Sequence, residues 1–424
     1  MKVSKPKSNG HLLDRICGGH IVRRILRQAC AISAAMIVAA GVLSVLGSGV
    51  ESASAAEPPI TVGIVCSCSG AFAGQLGVGP PAYQAWAKWQ NSKGGIDGHK
   101  VDVIVKDDAL NPATSSTEVH ALISQNHVQA LVDDTDVDAA WAAYAKQSGV
   151  PVIAGLSFPQ NFTTNSDFFA DGETLDAYNE GYVDAAKAVK AKNIGEVYCA
   201  EAATCQEGLT AFFSTAKALG LPASFSEAAS ASAPNYTAQC VAAQQAGVQA
   251  LELALADTTA ASVAGDCNKQ GYNPWYIVDP AANYPSLPGL QTKMISTSGA
   301  IPFNIKNTPG TKTMYAALNK YEPSLVKSVN FNEYVVQFWA AGLLLTAAGE
   351  AAGLKSGAVT SAELIKGLYK IKNDTLGGLT PPLTFHKGVP NPVDCWFYQG
   401  TKDGKFTTPF GLKPVCQKPP KALA

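Results

Sequence analysis

The chain has 424 residues, of which 15% are charged and 47% are hydrophobic. At roughly 150 residues per domain, this length suffices for two or three domains with cores of their own. A disordered chain needs many charges and few apolar residues, so the composition excludes disorder for most of the chain.

Charge is unevenly distributed along the chain. Residues 1–55 hold seven basic and two acidic side chains, which leaves 25 basic and 31 acidic side chains in the remainder. Proteins that bind nucleic acid concentrate positive charge on one surface. The acidic remainder therefore excludes nucleic acid as the main partner.

The first 55 residues have the organisation of a secretory signal peptide. Arginines at positions 23, 24 and 27 precede a stretch without charged residues over 28–50, and Ala53-Ser54-Ala55 supplies small residues for cleavage. A retained membrane anchor is the alternative, because about twenty apolar residues can span a bilayer. No cysteine follows the apolar stretch closely enough for lipid attachment, and no later stretch is predicted to cross a membrane.

Eight cysteines remain after residue 55, and an even number in an exported protein predicts disulfides. Sequence does not fix the connectivity, but the simplest short-range pairing is Cys199–Cys205, Cys240–Cys267 and Cys395–Cys416. Cys66 and Cys68 are left open, because residues i and i+2 of an extended strand lie near the upper limit of Cα separation for a bridge. They also lack the spacing and companion histidines of a zinc site, so no metal is predicted.

Strand and helix patterns alternate after the leader. In the first half, strands are predicted at 60–65, 101–105, 128–133 and 150–155, and helices at 81–92, 115–125 and 139–148. In the second half, helices are predicted at 181–191, 208–219, 236–246 and 258–270, and strands at 195–200, 222–227, 248–255 and 274–279. Apolar helices at 331–353 and 361–370 follow, then antiparallel strands within 383–406 that are joined by a turn at Asp403-Gly404. The alternation predicts an α/β fold with two doubly wound lobes, each built on a parallel sheet.

Candidate ligand-binding residues follow directly from this fold class. Open parallel sheets bind ligands beyond the carboxyl ends of their strands, and two such lobes leave a cleft between them. The candidates that follow the predicted strands are Ser69, Thr135, Asp136, Ser157 and Phe158 in the first lobe and Cys205, Asp257 and Asp279 in the second.

Acidic residues cluster after the third strand, at Asp133, Asp134, Asp136 and Asp138. One interpretation is that they cap the helix predicted to begin at Ala139, where unpaired amides favour carboxylates. The other interpretation is a rim that binds a cation.

The sequence contains partial matches to catalytic and cofactor-binding motifs, but their positions relative to the predicted strands exclude those functions. Residues 77–82 match a dinucleotide-binding glycine pattern, but they lie about ten residues beyond the first strand, and Pro80 and Pro81 remove amides that would face a pyrophosphate. Ser157 lacks the final glycine of a nucleophile elbow, and the histidines lack metal spacing. We therefore predict neither an enzyme nor a cofactor.

One segment carries a resemblance to a known family. Residues 91–98 (NSKGGIDG), followed by a strand and Asp107-Asp108, resemble the opening of the type I periplasmic substrate-binding proteins, and most closely their branched-chain amino-acid-binding group. The glycines predict a tight turn between a helix and a strand, so this motif marks the fold and not the ligand. Residues 332–336 are similar to the family's later tyrosine-containing helix, and the resemblance covers nearly the whole chain after the leader.

The resemblance implies an architecture and a set of partners. It implies a first lobe of residues 56–170 and 302–380, a second lobe of 171–301 and 381–424, and a three-strand hinge with crossings near 169–172, 298–302 and 378–382. It further implies an extracytoplasmic monomer that captures a small-molecule ligand and delivers it to the permease and ATPase subunits of an ABC importer. The alternative is a ligand-sensing ectodomain of the same fold, anchored by an uncleaved N-terminal helix.

The resemblance also implies roles for particular residues. In the family, hydroxyls and amides after the third and fourth strands hold the α-carboxylate of an amino acid, and these loops here contain Asp136 and Ser157. The family's cleft tyrosine in the second lobe falls near Cys205, and the acid that pairs with the α-ammonium falls near Asp279. The aspartate and the missing tyrosine argue against an amino acid, because one carboxylate disfavours another. Amides and aromatic acids are ligands of other family members, so the resemblance implies three ligand classes that stay open: an amino acid, an amide or an aromatic acid.

We expect the signal peptide to be cleaved after Ala55, because small residues at these positions admit the signal peptidase. Mass spectrometry of the exported protein should then give an N-terminus at Ala56. Exported material that still begins at Met1 would contradict cleavage and support the anchored ectodomain.

Overall fold

A computed structural model describes residues 57–70, 72–201, 203–279, 293–402 and 405–416. The predicted signal peptide and the predicted turn at Asp403-Gly404 lie outside these residues. The strands described are β1 (Ile60–Cys66), β2 (Val101–Asp107), β3 (Ala130–Asp134), β4 (Val152–Gly155), β5 (Phe168–Phe169), β6 (Ile194–Cys199), β7 (Ala223–Ala229), β8 (Ala250–Ala254), β9 (Trp275–Val278), β10 (Lys293–Ser298), β11 (Cys395–Lys402), β12 (Lys405–Thr407) and β13 (Val415–Cys416).

The helices of the same residues are α1 (Ala73–Leu76), α2 (Gly79–Ser92), α3 (Pro112–Ser124), α4 (Ala142–Gln147), α5 (Asn161–Thr164), α6 (Leu175–Ala188), α7 (Ala203–Ala218), α8 (Thr237–Gln245), α9 (Asp257–Lys269), α10 (Pro309–Tyr321), α11 (Pro323–Val326), α12 (Glu333–Ala352) and α13 (Ser361–Leu368), with a 3-10 turn at Asp138–Ala140. The predicted alternation is confirmed, whereas β5, β10 and α10 were not predicted.

Two sheets organise the described residues, one in each lobe. The first has the order β2-β1-β3-β4-β5 and is parallel throughout. The second has the order β12-β11-β10-β9-β8-β6-β7, in which β6 to β10 are parallel neighbours, β11 is antiparallel to β10, and β13 pairs with β11. The predicted fold class and the antiparallel tail are therefore confirmed.

The first lobe is built around α12. This helix packs against α2, α13 and β4, and Gly342 lets it approach α2 so closely that a Cβ there would lie 2.0 Å from the ring of Trp86. By length and composition α12 could cross a membrane, contrary to the sequence prediction, but 67% of its apolar window is buried inside the protein. A helix that is apolar all round is also what the core of a large protein requires.

The glycine-rich turn after α2 has the predicted tight geometry. Gly94, Gly95 and Gly98 all adopt positive φ angles. A Cβ on Gly95 would lie 2.0 Å from the carbonyl oxygen of His99, so only glycine fits there.

The disulfides agree with short-range pairing. Cys199–Cys205, Cys240–Cys267 and Cys395–Cys416 are bonded as predicted. Cys66 also bonds to Cys68, with 5.2 Å between their Cα atoms, where the chain leaves β1. This separation lies within the usual range for a bridge because the chain is no longer fully extended at Cys68.

The chain passes between the lobes after β5, after β10 and before β11. The first two passages touch, since a Cβ on Gly172 would lie 3.0 Å from the Cα of Gly299. A β-bridge between Phe169 and Asn391 keeps the later segment beside the first sheet. We therefore place the third passage between Asn391 and Cys395, later than the 378–382 expected from the sequence, and the other lobe boundaries stay predictions.

Two buried carboxyl groups lie side by side in the second sheet. Glu196 of β6 and Glu252 of β8 are paired in register and are 1% and 3% exposed. In-register neighbours on adjacent strands point to the same face, about 4.8 Å apart. Burial raises the pKa of Glu196 to about 8, and burial together with the nearby Glu196 and Asp279 raises the pKa of Glu252 well above its usual range.

We expect Glu252→Gln to stabilise the protein at alkaline pH. A carboxyl whose pKa is raised by folding contributes stability below its unfolded pKa of about 4.3, and this contribution is lost as the pH rises through the folded pKa. Glutamine keeps the shape without a proton to lose, so the free energy of unfolding at pH 8 to 9 should rise by about 2 kcal/mol relative to the unsubstituted protein. Denaturant unfolding across pH measures this.

The matched control is Glu227→Gln on β7, where the side chain is half-exposed. This variant should keep the original pH dependence. If Glu252→Gln lost as much stability at alkaline pH as the unsubstituted protein does, the prediction would be contradicted.

Candidate functional site

The strand ends of the first lobe are tied together by buried hydroxyls. The Ser67 hydroxyl donates to Asp108 Oδ1 at 2.8 Å and shares a hydrogen bond with the Thr135 hydroxyl at 2.9 Å. Three loops, after β1, β2 and β3, are thereby held at fixed positions. Thr135 is fully buried, so its hydroxyl supports the loop.

Ser157 has a similar supporting role after β4. It is 1% exposed, and its hydroxyl donates to Asp171 Oδ1 at 3.1 Å. The side-chain amide of Gln337 from α12 lies 3.4 Å from the same hydroxyl. These contacts link β4, the first interlobe passage and α12. Of the other predicted residues in this lobe, Ser69 is exposed at the rim, where its backbone amide donates to Asp107 Oδ1 at 3.3 Å.

Asp136 and Phe158 are the predicted first-lobe residues that face the second lobe. Both side chains are half-buried. The ring of Phe158 lies 5.9 Å from the ring of Tyr178, which belongs to α6. The pKa of Asp136 is raised to about 7 by burial and by the negative charges of Asp279, Asp138 and Asp108.

Asp279 and Asp257 face the first lobe from the second. Asp279 follows β9, and its Oδ1 lies 3.5 Å from the hydroxyl of Tyr334 on α12, a long hydrogen bond from the tyrosine. Asp257 begins α9 and accepts a hydrogen bond from the amide of Thr258 at 3.0 Å. A Cβ on Gly74 of α1 would lie 3.7 Å from Asp257 Oδ1, so the lobes also approach each other here.

Cys205 does not offer a thiol to this site, because it lies on α7 in a disulfide with Cys199. Cys205 was predicted as a ligand-binding residue from its place after a strand and from the position of the family's cleft tyrosine. The residue does follow β6, but its side chain is held in the disulfide. In the first lobe, the capping interpretation of the acidic cluster holds in part, because Asp138 lies in the first turn of the 3-10 helix and its carboxyl accepts a hydrogen bond from the Ala139 amide. Val137 is the cap residue before Asp138–Ala140, and its own side chain makes no capping hydrogen bond.

Two aromatic residues in the site were missed by reasoning from strand ends. Tyr178 lies in the first turn of α6 and Tyr334 in the first turn of α12, so neither residue directly follows a strand. The sequence did contain an indication of Tyr334, because residues 332–336 resemble the family's tyrosine-containing helix. Asn332 caps α12 by accepting a hydrogen bond from the Tyr334 amide at 2.9 Å. This bond fixes the start of the helix and therefore the backbone position of Tyr334.

Among the described residues, Cys66, Cys68 and Asp134 have ligand atoms close enough together to hold a metal ion. The two sulfurs are joined in a disulfide, however, and a metal ligand must be a thiolate. The arrangement therefore gives no support to a metal centre in the oxidised protein.

Two α/β lobes with acidic and aromatic groups at their facing strand ends define a two-lobed ligand-binding protein. The chain belongs to the periplasmic binding protein family, whose model matches residues 59–405. Its fold is shared by solved ABC-transporter substrate-binding proteins. No curated protein matches the sequence.

Solved structures with the same fold share little sequence with this chain. A branched-chain amino acid ABC transporter protein from Thermus thermophilus with bound valine has a TM-score of 0.74 at 14% identity, and the match covers 85% of this chain and 97% of that one. A fatty acid ABC transporter substrate-binding protein from Thermomonospora curvata has a TM-score of 0.70 at 18% identity, covering 85% and 92%. An R. palustris solute-binding protein in complex with 4-hydroxybenzoate has a TM-score of 0.66 at 17% identity, covering 86% and 99%.

We expect Asp136→Asn to stabilise the ligand-free protein above pH 7. The raised pKa means that Asp136 supports folding at low pH and that this support is lost as the pH rises from about 3.9 towards 7. Asparagine removes the charge that Asp279, Asp138 and Asp108 disfavour. The free energy of unfolding at pH 8 should rise by about 1 kcal/mol, with little change at pH 4.

Melting curves at the two pH values measure this difference. Asp102→Asn, on an exposed position of β2, is the matched control and should have no such effect. A lower melting temperature for Asp136→Asn at pH 8 would show that its carboxylate is stabilising, contrary to this prediction.

Proposed function

We propose that this protein captures a small metabolite between its lobes, outside the cytoplasm, and delivers it to the permease and ATPase subunits of an ABC importer. The observation that carries the proposal is the approach of Tyr334 and Asp279, because these side chains come from different lobes and meet at the strand ends. Membership of a family of substrate-binding proteins supports capture without bond-making chemistry.

The proposed mechanism is closure of two rigid lobes about a hinge. The first two interlobe passages touch at Gly172 and Gly299. Because glycine has no side chain, the backbone there can turn without side-chain clashes. A ligand favours the closed state only by the contacts that it gains on closure. Micromolar binding corresponds to about −8 kcal/mol, which is enough to shift such an equilibrium when most contacts form in the closed state.

The site favours ligands that donate hydrogen bonds. Asp136 and Asp279 are acceptors when ionised, one from each lobe, and Phe158, Tyr178 and Tyr334 supply apolar contact area. Of the predicted classes, amides and amino acids carry such donors. An aromatic acid, like an amino acid, brings a further carboxylate to a site that already holds two, but an aromatic acid has no ammonium group to offset it.

We expect Asp279→Ala to weaken ligand binding by about 10- to 150-fold, because it removes a charge-assisted hydrogen bond inside a closed site. The ligand is first identified by a thermal-shift screen of amino acids, amides, amines and aromatic acids. Calorimetric titration then measures affinity, and small-angle scattering measures whether the ligand makes the protein more compact.

A melting curve separates binding from folding. The melting temperature of Asp279→Ala should stay the same or rise, and Asp102→Ala should change neither affinity nor stability. Unchanged affinity with a lowered melting temperature would make Asp279 a turn residue before Pro280. The proposed site would then lack its central group.

A further inference from the structure

The acidic groups of the cleft come from both lobes. Asp136 follows β3 of the first sheet, Glu333 begins α12, and Asp279 follows β9 of the second sheet. Burial, followed by the charge of Glu333, raises the pKa of Glu173, and Asp279 adds to the rise at both glutamates. These carboxyl groups therefore lie within electrostatic reach of one another.

Basic residues do not balance this charge. The four arginines of the chain, at positions 15, 23, 24 and 27, all precede the lobes. Every lysine whose exposure the structure gives lies exposed at the surface, except Lys106, which is half-buried and pairs with Glu118 at 2.9 Å. Residues 280–292 contain no lysine, arginine or histidine. In the described part of the chain, a ligand carboxylate therefore finds no buried lysine or arginine to pair with.

Several buried carboxylate oxygens lack a partner. Glu333 is fully buried and Glu173 is 5% exposed, yet one oxygen of each has no hydrogen-bond partner among the described residues. Glu173 uses its other oxygen to accept from the Thr297 hydroxyl at 2.9 Å, and Glu333 accepts from the amide of Ala300 at 3.2 Å. Buried polar atoms of this kind are usually satisfied, and a bound cation would both satisfy these oxygens and favour their ionised form.

Aromatic rings lie beside the same carboxylates. Phe158 meets Tyr178 across the cleft, Tyr178 lies 4.2 Å from Tyr182 between ring centroids, and the Tyr334 hydroxyl reaches Asp279. Faces of aromatic rings attract ammonium groups, and more strongly where water is excluded. Carboxylates and ring faces together form the environment that an alkylated ammonium group requires.

We infer that the cleft binds an organic cation, a ligand that carries an ammonium group and no carboxylate. This inference rests on the proposed function, since it names the ligand class of the same cleft. It differs from amino-acid binding because no described lysine is buried in the cleft to pair with a ligand carboxylate, whereas acceptors for positive charge come from both lobes.

The positive charge of the ligand then neutralises the carboxylates that approach each other when the lobes close. Without it, closing the lobes brings Asp136 and Asp279 together in a space where water is scarce, and like charges repel more strongly in such a medium. An ammonium group between them changes repulsion into attraction. Closure therefore depends on the charge of the ligand as well as on its shape.

A matched series of four-carbon compounds tests the inference on the full mature protein. The probes are 1,4-diaminobutane, 4-aminobutanoate and succinate, with choline as a quaternary cation, each titrated calorimetrically and followed by small-angle scattering. We expect at least one of the two cations to bind and close the lobes, and the two carboxylates to bind far more weakly. Asp136→Asn and Asp279→Asn should each lower affinity for that cation by about 10- to 100-fold.

The variants carry their own controls. Asp136→Asn should lose affinity while its melting temperature rises, a combination that misfolding does not produce. Glu350→Gln removes one carboxylate from the exposed far end of α12 and should leave affinity unchanged. Equal loss in Glu350→Gln would show a general effect of net charge and overturn the inference.

The outcomes separate the ligand class from the function. If 4-aminobutanoate or succinate binds as tightly as the cations, or if neither cation binds at up to about 1 mM, the inference is overturned. A carboxylate that nevertheless compacts the protein would leave the proposed function standing. If no compound of this series or of the wider metabolite screen compacts the protein, the proposed function fails as well.

Discussion

Asp136 and Asp279 reach the same space from opposite lobes, and burial raises the pKa of Asp136 because its charged form loses water there. The approach of Asp136 and Asp279 follows from the parallel arrangement of the strands. All strands of the first sheet end on one edge, as do the parallel strands of the second, so side chains that follow β3 and β9 must face whatever occupies the gap. Among the residues whose exposure the structure gives, no lysine is buried between them. On the inference drawn above, a cationic ligand balances the charge of the cleft.

The hinge lies close to this charge. Glu173 follows Gly172 in the first passage, and the backbone amide of Ala300, next to Gly299 in the second, donates to Glu333. Burial is the main cause that raises the pKa of both glutamates, and Asp279 contributes to each. The segments that would turn during closure therefore carry carboxyl groups that respond to the same cation. On the proposed mechanism, binding and hinge motion are coupled directly through short-range electrostatics.

Sequence periodicity was sufficient for the fold because strands such as β1 are short, continuous apolar runs with glycine or polar residues at both ends. It was insufficient where structure depends on distant partners. β5 has two residues and exists through its pairing with β4, and β10 is held between β9 and β11. At the site, Asp136, Phe158 and Asp279 could be predicted from strand ends alone. Tyr178 could not, because its position depends on the angle at which α6 leaves the hinge, which no local pattern encodes.

The first strand of each lobe ends at a short disulfide, Cys66–Cys68 after β1 and Cys199–Cys205 after β6. In the second lobe, the cystine stands near the place where relatives are expected to have a cleft tyrosine, and the aromatic surface here comes from α6 and α12 instead. A bridge over so few residues removes conformational freedom from the loop that it closes, and a loop that is already ordered costs less entropy when it binds. Both lobes therefore present rigid edges to the cleft. On the proposed mechanism, the remaining motion is that of the hinge, and the charge between the lobes resists it.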